Sequence, residues 1–261
     1  MITTYHRPQT LDEALTLLSQ PNMFPLGGGT LLSHRQSDSV EVVDLQALGL
    51  NSIKKSGNNL EIGATATLQQ LLEDVNCLDA LKSAMKLEAP INIRNAATVA
   101  GTIVSCDGRS TFVTSLLALD TKLNFRELGI GNRKSSPKSR ITTLDSLITN
   151  LGDFLPLRPR GLITSITIPL NTKFAFDYVS RTPSDKPIVC VAVCQWQSGR
   201  TRLAVGGYGK APRLAMDGTE SEGIEAAARN AFHESNDEWA SAEYRMDVAA
   251  TLAKRCVASW G

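Results

Sequence analysis

The chain has 261 residues and carries 27 Lys and Arg against 26 Asp and Glu, so its formal net charge is only +1. This balance argues against a dedicated nucleic-acid-binding protein, which needs a basic surface. Apolar residues make up 42% of the chain, as in most globular proteins, and no apolar run approaches the length of a membrane span. The N-terminal segment lacks the charged start and apolar core of a secretory signal, which predicts a cytoplasmic protein.

The cysteines and histidines show no pattern typical of a metal centre. The five cysteines contain no C-x-x-C pair, which argues against an iron–sulfur cluster or structural zinc in this chain. Cys190 and Cys194 would share one face of a strand, where we interpret them as small buried residues. The three histidines are scattered along the chain, so neither a metal site nor a Ser–His–Asp triad is predicted.

The first part of the chain shows a helix between short strands. Thr10 and Glu13 form a capping-box pattern at the start of a helix, and Pro21 ends that helix. The segment MFPL (23–26) predicts a short buried strand, and VEVVDL (40–45) predicts a second strand.

The middle of the chain continues with strands, helices and one long polar segment. Residues 52–66 predict two strands around a Gly-Asn-Asn turn, and Thr67 with Gln70 forms a second capping box. The segment TFVTSLLALD (111–120) predicts a buried helix. Residues 126–140 are polar, basic and glycine-rich, which predicts an exposed loop.

The last third of the chain changes character. A strand within residues 157–170 closes the first unit, and two helical stretches end the second. Between them, antiparallel strands are predicted at FAFDYVSR (174–181), IVCVAVCQWQ (188–197) and RTRLAVGGYG (200–209). Because strands followed by helices indicate an α+β domain, we predict two domains, 1–170 and 171–261.

Two glycine loops are the candidates for a functional site. LGGGTLL (26–32) and ATVAGTIVS (97–105) each place Gly in a turn of small residues, followed by Thr and an aliphatic pair. Consecutive N–H groups in such turns hold phosphate oxygens, and threonine hydroxyls add neutral donors. The loops therefore either hold both halves of a pyrophosphate or are structural turns. Neither matches the G-x-G-x-x-G or the G-x-x-x-x-G-K-[ST] fingerprint.

The motifs around these loops resemble those of a known flavoprotein family. The FAD-binding subunits of molybdenum hydroxylases, of the xanthine dehydrogenase and carbon monoxide dehydrogenase type, look like A-G-G-T-D-L at the first loop and I-R-N-x-x-T-I-G-G-N at the second. This chain has GGGTLL (27–32) and IRNAATVAGT (93–102) there. Further matching segments follow in order, namely VVDL (42–45), LEIGATAT (60–67), LLALD (116–120), LRPRGLITSITIP (157–169), VSRTPSDKPIVCVAV (179–193), LAVGGYGKAPRLA (203–215) and ASAEYR (240–245).

The resemblance implies that both loops wrap the pyrophosphate of a noncovalently bound FAD. It implies a two-part FAD-binding α/β domain, followed by a small domain with a three-stranded antiparallel sheet and helices, and therefore an α+β chain. The residues that it implies as FAD-binding are Leu26, Gly27, Gly28, Gly29, Thr30, Leu31, Ala97, Thr98, Val99, Ala100, Gly101, Thr102, Ser105, Ser110 and Thr111. We assign no catalytic residue and no metal ligand, because the flavin itself performs the electron chemistry.

Three positions depart from the family pattern. Ala100 stands where the family often has its second glycine, and Thr102 replaces Asn or Asp. Thr111 falls where many relatives carry an Asp that is implied to hydrogen-bond the FAD, although Ser110 before it matches.

Four further residues lie near the implied site. Arg94 either faces a phosphate or holds a nearby carboxylate or carbonyl group and shapes the second loop. Lys186 is either a solvated turn residue or a cation that stabilises negative charge on the flavin. Cys106 has no obvious activating neighbour, and the resemblance implies no covalent link to His34.

The implied function is that of an electron-transfer subunit, an oxidoreductase component rather than a complete enzyme. Electrons would pass from the iron–sulfur clusters of a small [2Fe–2S] subunit through FAD to NAD or another acceptor. A large molybdopterin subunit would oxidise the substrate. The alternatives are a stand-alone FAD oxidoreductase of the same fold and a degenerate subunit that only supports the complex.

Overall fold

A parallel three-stranded sheet opens the chain in the computed structural model, which describes residues 2–32, 39–128 and 147–260. Its strands pair in the order β1–β3–β2 and are β1 (Ile2–His6), β2 (Met23–Leu26) and β3 (Val40–Asp44). Helix α1 (Leu11–Leu18) buries Ala14 and Leu18 in one apolar cluster with Met23 and Val43. The first glycine loop leaves this sheet at the carboxyl end of β2.

Strand β2 lies at one edge of this sheet, so the prediction that MFPL forms a buried strand was wrong in part. Met23 is buried, but Phe24 is 43% exposed. Strand β1 was not predicted from the sequence. Its first four side chains are all exposed, and its sequence does not show the alternation of apolar and polar residues that marks a half-buried strand.

A five-stranded sheet forms the middle of the chain, in the order β4–β5–β8–β6–β7 with antiparallel neighbours. Its strands are β4 (Ile53–Ser56), β5 (Asn59–Gly63), β6 (Lys122–Glu127), β7 (Leu147–Asn150) and β8 (Gly161–Pro169). The helices of this part are α2 (Leu68–Glu73), α3 (Asp79–Glu88), α4 (Ile91–Arg94), α5 (Val99–Ser105), α6 (Thr111–Ala118) and α7 (Leu151–Leu157). Every residue of α6 is buried, as its apolar sequence predicted.

The segment 126–140, predicted as an exposed loop, is described only as far as residue 128. Strand β6 continues to Glu127, and Leu128 is buried in the same cluster as Leu162. The prediction was therefore wrong for the first residues of the segment, and the remainder lies outside the described residues.

A four-stranded antiparallel sheet follows, in the order β12–β11–β10–β9. The three predicted strands are present as β9 (Thr172–Val179), β10 (Val189–Trp196) and β11 (Thr201–Gly206). The additional strand β12 (Arg213–Gly218) lies at the edge and is partly exposed along its length, so its apolar signal is weak. Helices α8 (Ile224–Asn230) and α9 (Ala242–Ala258) pack on this sheet.

The five cysteines are buried and free. Cys190 and Cys194 lie on β10 as predicted, and burial raises the pKa of each thiol to about 12. Within the described ranges, no group of three His, Cys, Asp or Glu side chains is placed to hold a metal ion. No helix in those ranges is both long enough and apolar enough to cross a membrane.

Candidate functional site

The two glycine loops touch each other, although about seventy residues separate them in the sequence. A Cβ atom built on Gly28 would lie 1.6 Å from the carbonyl oxygen of Ala96. Cβ atoms on Gly27 and Gly101 would each lie 2.8 Å from Oγ1 of Thr98. The contact between the loops therefore requires glycine at position 28 and leaves little room at the other two.

The first loop (residues 27–31) presents unused backbone donors. Gly29 has φ +71°, a conformation that glycine adopts without strain and that turns the chain away from the sheet. Within residues 2–32, 39–128 and 147–260, the N–H groups of Gly27, Gly28 and Thr30 have no hydrogen-bond acceptor. Neighbouring free N–H groups of this kind form an anion-binding concavity.

The second loop (residues 97–102) differs from the expectation, because most of its N–H groups are bonded within the protein. Thr98 is the N-cap of α5, and the first turn of that helix docks on the segment after β5. The bonds run from Val99 N to Ala66 O (2.8 Å), from Ala100 N to Ala64 O (3.2 Å), from Gly101 N to Thr98 Oγ1 (3.1 Å) and from Thr102 N to Thr98 O (2.9 Å).

The hydroxyl of Thr98 is a side-chain donor that the second loop retains. Its oxygen accepts the N–H of Gly101, and its proton has no acceptor in the described part of the chain. The hydroxyls of Thr102 and Ser105 are engaged, because they donate to Thr98 O at 2.9 Å and to Gly101 O at 2.8 Å. Thr98 is buried, with 6% exposure, and it borders the adjoining cleft.

Two clefts meet at the loops. The first has a volume of about 270 Å³, and its walls include Phe24, Leu45, Val104, Leu162 and Ile163 beside both loops. The second has a volume of about 290 Å³, and its walls include Glu88, Ile93, Cys106, Asp107 and Lys186. Thr30, Leu31 and Ser105 border both clefts. Their combined size is in the range of cofactor sites, and the three shared residues make them two parts of one candidate site.

The second cleft carries the charged groups of the site. Nζ of Lys186 lies 2.7 Å from Oδ2 of Asp107, and both side chains are about half exposed. Arg109 fixes the loop that bears Lys186 by donating from Nε to the carbonyl of Pro187 at 2.9 Å. Lys186 is therefore a paired residue at the border of the cleft, and neither of the two earlier interpretations described that pairing.

Cys106 borders the second cleft as a buried thiol. Its pKa is raised to about 11, chiefly by burial, so the reactive thiolate is scarce at neutral pH. Arg158 donates to its carbonyl oxygen at 2.8 Å. It also lies 3.4 Å from the sulfur, so Cys106 has a cationic neighbour that was not predicted from the sequence, although burial outweighs its lowering effect on the pKa. His34 lies outside the described residues.

Arg94 shapes the second loop instead of facing the clefts. It donates from Nε to Oε1 of Gln69 at 3.0 Å and from a terminal nitrogen to the carbonyl of Ala89 at 2.7 Å. Of the two roles considered for Arg94, the structure supports the structural one.

The structure brings most of the predicted site residues together at the clefts. Gly27, Gly28, Gly29, Thr30, Leu31, Thr98, Ala100, Gly101 and Ser105 border the first cleft, and Ala97 and Thr102 border the second. Leu26, Val99, Ser110 and Thr111 are not among the residues that line either cleft. Ser110 and Thr111 are buried at the start of α6, where both hydroxyls contact the carboxyl group of Glu88. Sequence reasoning missed Glu88, which resembles any other polar residue of a helix.

This fold and this two-part cleft define an α+β protein whose candidate ligand site lies beside backbone N–H groups that are free within the described residues. The family described as "FAD binding domain in molybdopterin dehydrogenase" matches residues 1–171, which is more than half of the chain. The chain belongs to this family of oxidoreductase components, and FAD is its cofactor. The family, the cofactor and the α+β fold predicted from the sequence are thereby confirmed.

Known proteins match the chain over nearly its whole length. The xanthine dehydrogenase FAD-binding subunit of Escherichia coli O157:H7 is 27% identical, with 97% of this chain and 94% of that protein covered. The carbon monoxide dehydrogenase medium chain of Hydrogenophaga pseudoflava is 24% identical, with 98% and 96% covered. The structure of a Cu,Mo-CO dehydrogenase in its cyanide-inactivated form shares the fold, with a TM-score of 0.78, 22% identity and coverage of 99% and 97%.

Proposed function

We propose that this chain is the FAD-binding electron-transfer subunit of a molybdenum hydroxylase complex. It would receive electrons from the clusters of a small [2Fe–2S] subunit and pass them to NAD or another acceptor. A large molybdopterin subunit would oxidise the substrate. The observation that carries this proposal is the pair of clefts joined at a loop with free N–H donors, in a chain of this family.

The residues at the junction of the clefts fit the diphosphate of FAD. The N–H groups of Gly27, Gly28 and Thr30 and the hydroxyl proton of Thr98 supply donors for phosphate oxygens without a cation. The first cleft, with the apolar walls of Phe24, Leu162 and Ile163, suits the adenine ring. The second cleft then takes the flavin, which supplies hydride and one-electron chemistry when bound.

The second cleft suits the flavin because its charged groups can act on the ring. Lys186, held by Asp107 at 2.7 Å, lies at the border, where a cation stabilises negative charge on the flavin. We propose that residues 1–170 form the FAD-binding domain and that residues 171–261 form a second domain, which contributes Lys186 to the site. A cytoplasmic location remains a prediction from the sequence.

Native mass spectrometry of the tagged chain, purified from its own host, tests the assembly. We expect a complex with one larger and one smaller partner, a molybdenum content and noncovalent FAD that acid precipitation releases. The isolated chain, loaded with FAD, should pass electrons from reduced pyridine nucleotide to a dye but should not oxidise an organic substrate.

Two results would contradict the proposal and select a different function. Oxidation of a metabolite by the isolated, metal-free chain would identify a stand-alone flavoenzyme. A complex that contains this chain without FAD would identify a subunit that only supports the assembly.

A further inference from the structure

Glu88 is anchored at the start of α6 through one of its two carboxyl oxygens. Glu88 ends α3, and its Oε2 accepts hydrogen bonds from residues at the start of α6. The donors are the hydroxyl of Ser110 at 2.8 Å and the backbone N–H of Phe112 at 2.9 Å. The hydroxyl of Thr111 donates its one proton to the carbonyl of Ala84 at 2.7 Å, and its oxygen lies 3.1 Å from the same Oε2. Such a set of donors fixes the orientation of the carboxyl group.

The second oxygen of this carboxyl group remains available to a ligand. Oε1 of Glu88 has no hydrogen-bond partner among residues 2–32, 39–128 and 147–260, and the side chain borders the second cleft. Lys186 and Asp107, which border the same cleft, are paired with each other at 2.7 Å. Glu88 therefore holds Oε1 in a fixed orientation as a hydrogen-bond acceptor, and its carboxyl group forms no ion pair within the described residues.

A polar group in this position needs a partner when a ligand displaces the water from the cleft. An unsatisfied carboxyl oxygen in a closed site costs free energy, so a ligand with a donor at this point gains affinity. The isoalloxazine ring offers one such donor on its polar edge, the imide N–H at N3. The adenine end of FAD fits less well here, because the first cleft supplies the larger apolar walls.

We propose that Glu88 is a flavin-binding residue, whose Oε2 is held by α6 and whose Oε1 accepts a hydrogen bond from the imide N–H of the flavin ring. This proposal rests on the proposed function, because it places the flavin in the second cleft. It assigns Ser110 and Thr111 a positioning role through Glu88 instead of a direct contact with FAD.

The substitution Glu88→Gln tests the contact while preserving the anchor. The amide oxygen of Gln takes the place of Oε2 and still accepts from α6, whereas its NH₂ group faces the cleft as a donor. The NH₂ group of the substituted glutamine and the imide N–H of the flavin are both donors and cannot form a hydrogen bond with each other. FAD should therefore bind roughly tenfold to a hundredfold more weakly. Glu73→Gln on the exposed face of α2 is the matched control and should leave the FAD dissociation constant unchanged.

A flavin analogue makes the test independent of any protein variant. FAD methylated at N3 lacks the imide N–H, so the wild-type apoprotein should bind it at least roughly tenfold more weakly than FAD. This preference for FAD should largely disappear in the Glu88→Gln protein, because the two changes remove the same hydrogen bond. Fluorescence titration gives the four dissociation constants, and thermal unfolding of each apoprotein reports the fold.

The outcomes separate this proposal from the one on which it rests. Equal binding of FAD and its N3-methyl analogue by the wild-type protein would overturn the role of Glu88 but leave the FAD subunit intact. Equal affinity of wild-type and Glu88→Gln proteins for FAD would do the same. Failure of the wild-type protein to bind any flavin would overturn the proposed function itself.

Discussion

Gly28 lies directly against the carbonyl group of Ala96, so close that a Cβ atom at position 28 would be 1.6 Å from that oxygen. Both atoms of this contact belong to the backbone, and neither loop can relieve it by rotating a side chain. The glycine is required first for the approach of the two loops and only then for the approach of a ligand.

Gly28→Ala should therefore displace the first loop. Overpacking of this kind typically costs about 1–3 kcal/mol, and the displaced N–H donors should weaken FAD binding by roughly tenfold or more. The matched control is Gly57→Ala in the turn between β4 and β5, where φ is +59° and no atom lies within 4 Å of the new Cβ. Gly57→Ala should lower stability through backbone strain and leave the FAD dissociation constant unchanged.

Denaturant titration of both apoproteins and fluorescence titration with FAD check this prediction. Stoichiometric FAD in the purified Gly28→Ala protein, with wild-type affinity, would mean that the contact between the loops does not position the donors.

Thr98 offers a comparison between two conservative changes. Thr98→Val removes the N-cap of α5, which costs about 1 kcal/mol, and also the free hydroxyl proton at the junction of the clefts. Thr98→Ser retains both functions. We expect FAD to bind more weakly to the Thr98→Val protein and with wild-type affinity to the Thr98→Ser protein. The FAD dissociation constants should be measured under conditions in which the same fraction of each apoprotein is folded. Loss of affinity in both variants would point to the methyl group and its packing instead of the hydroxyl.

Glu88 should make stability depend on pH. Its pKa is raised above the ordinary value of 4.5, chiefly by burial, against the hydrogen bonds from Phe112 and Ser110. The folded state then holds a proton that the unfolded state has lost, so wild-type stability should fall as pH rises from 4.5 through the raised pKa. Glu88→Gln does not titrate there and should become more stable relative to wild type over this interval. Parallel pH profiles from chemical denaturation of the apoproteins would contradict the assignment.

Asp217 should show the opposite dependence. Its pKa is held below the ordinary value of 3.8, first by the hydrogen bond from Arg200, and it also pairs at 2.7 Å with Arg202, whose side chain is 6% exposed. Its contribution is present above pH 3.8 and is lost as pH falls through the lowered pKa. Asp217→Asn should cost about 1–2 kcal/mol near neutral pH, since solvent screens the exposed third of the carboxylate, and the difference from wild type should shrink in acid. If the difference in the free energy of unfolding between the two proteins stays constant down to the pH of acid unfolding, the negative charge of Asp217 does not contribute to stability.

Local patterns predicted the parts of the fold that depend on neighbouring residues. The capping box of Thr67 and Gln70 is present with both of its hydrogen bonds, and the glycine loops lie at the clefts. Glu88 could not be found in this way, because its partners on α6 lie 22 to 24 residues further along the chain. The bonded N–H groups of the second loop depend likewise on Ala64 and Ala66, whose carbonyls carry no sequence signal.

Residues 161–163 form one wall of the first cleft, and their late position in the chain bears on when this cleft can form during folding. A growing chain contains both glycine loops long before it contains Gly161, Leu162 and Ile163, and those residues must pair with β5 and β6 as part of β8. Such distant pairing is slow compared with the closing of local turns. With FAD in the clefts as proposed, cofactor loading would follow the completion of the middle sheet, and a nascent chain released before that point would carry both loops without the first cleft.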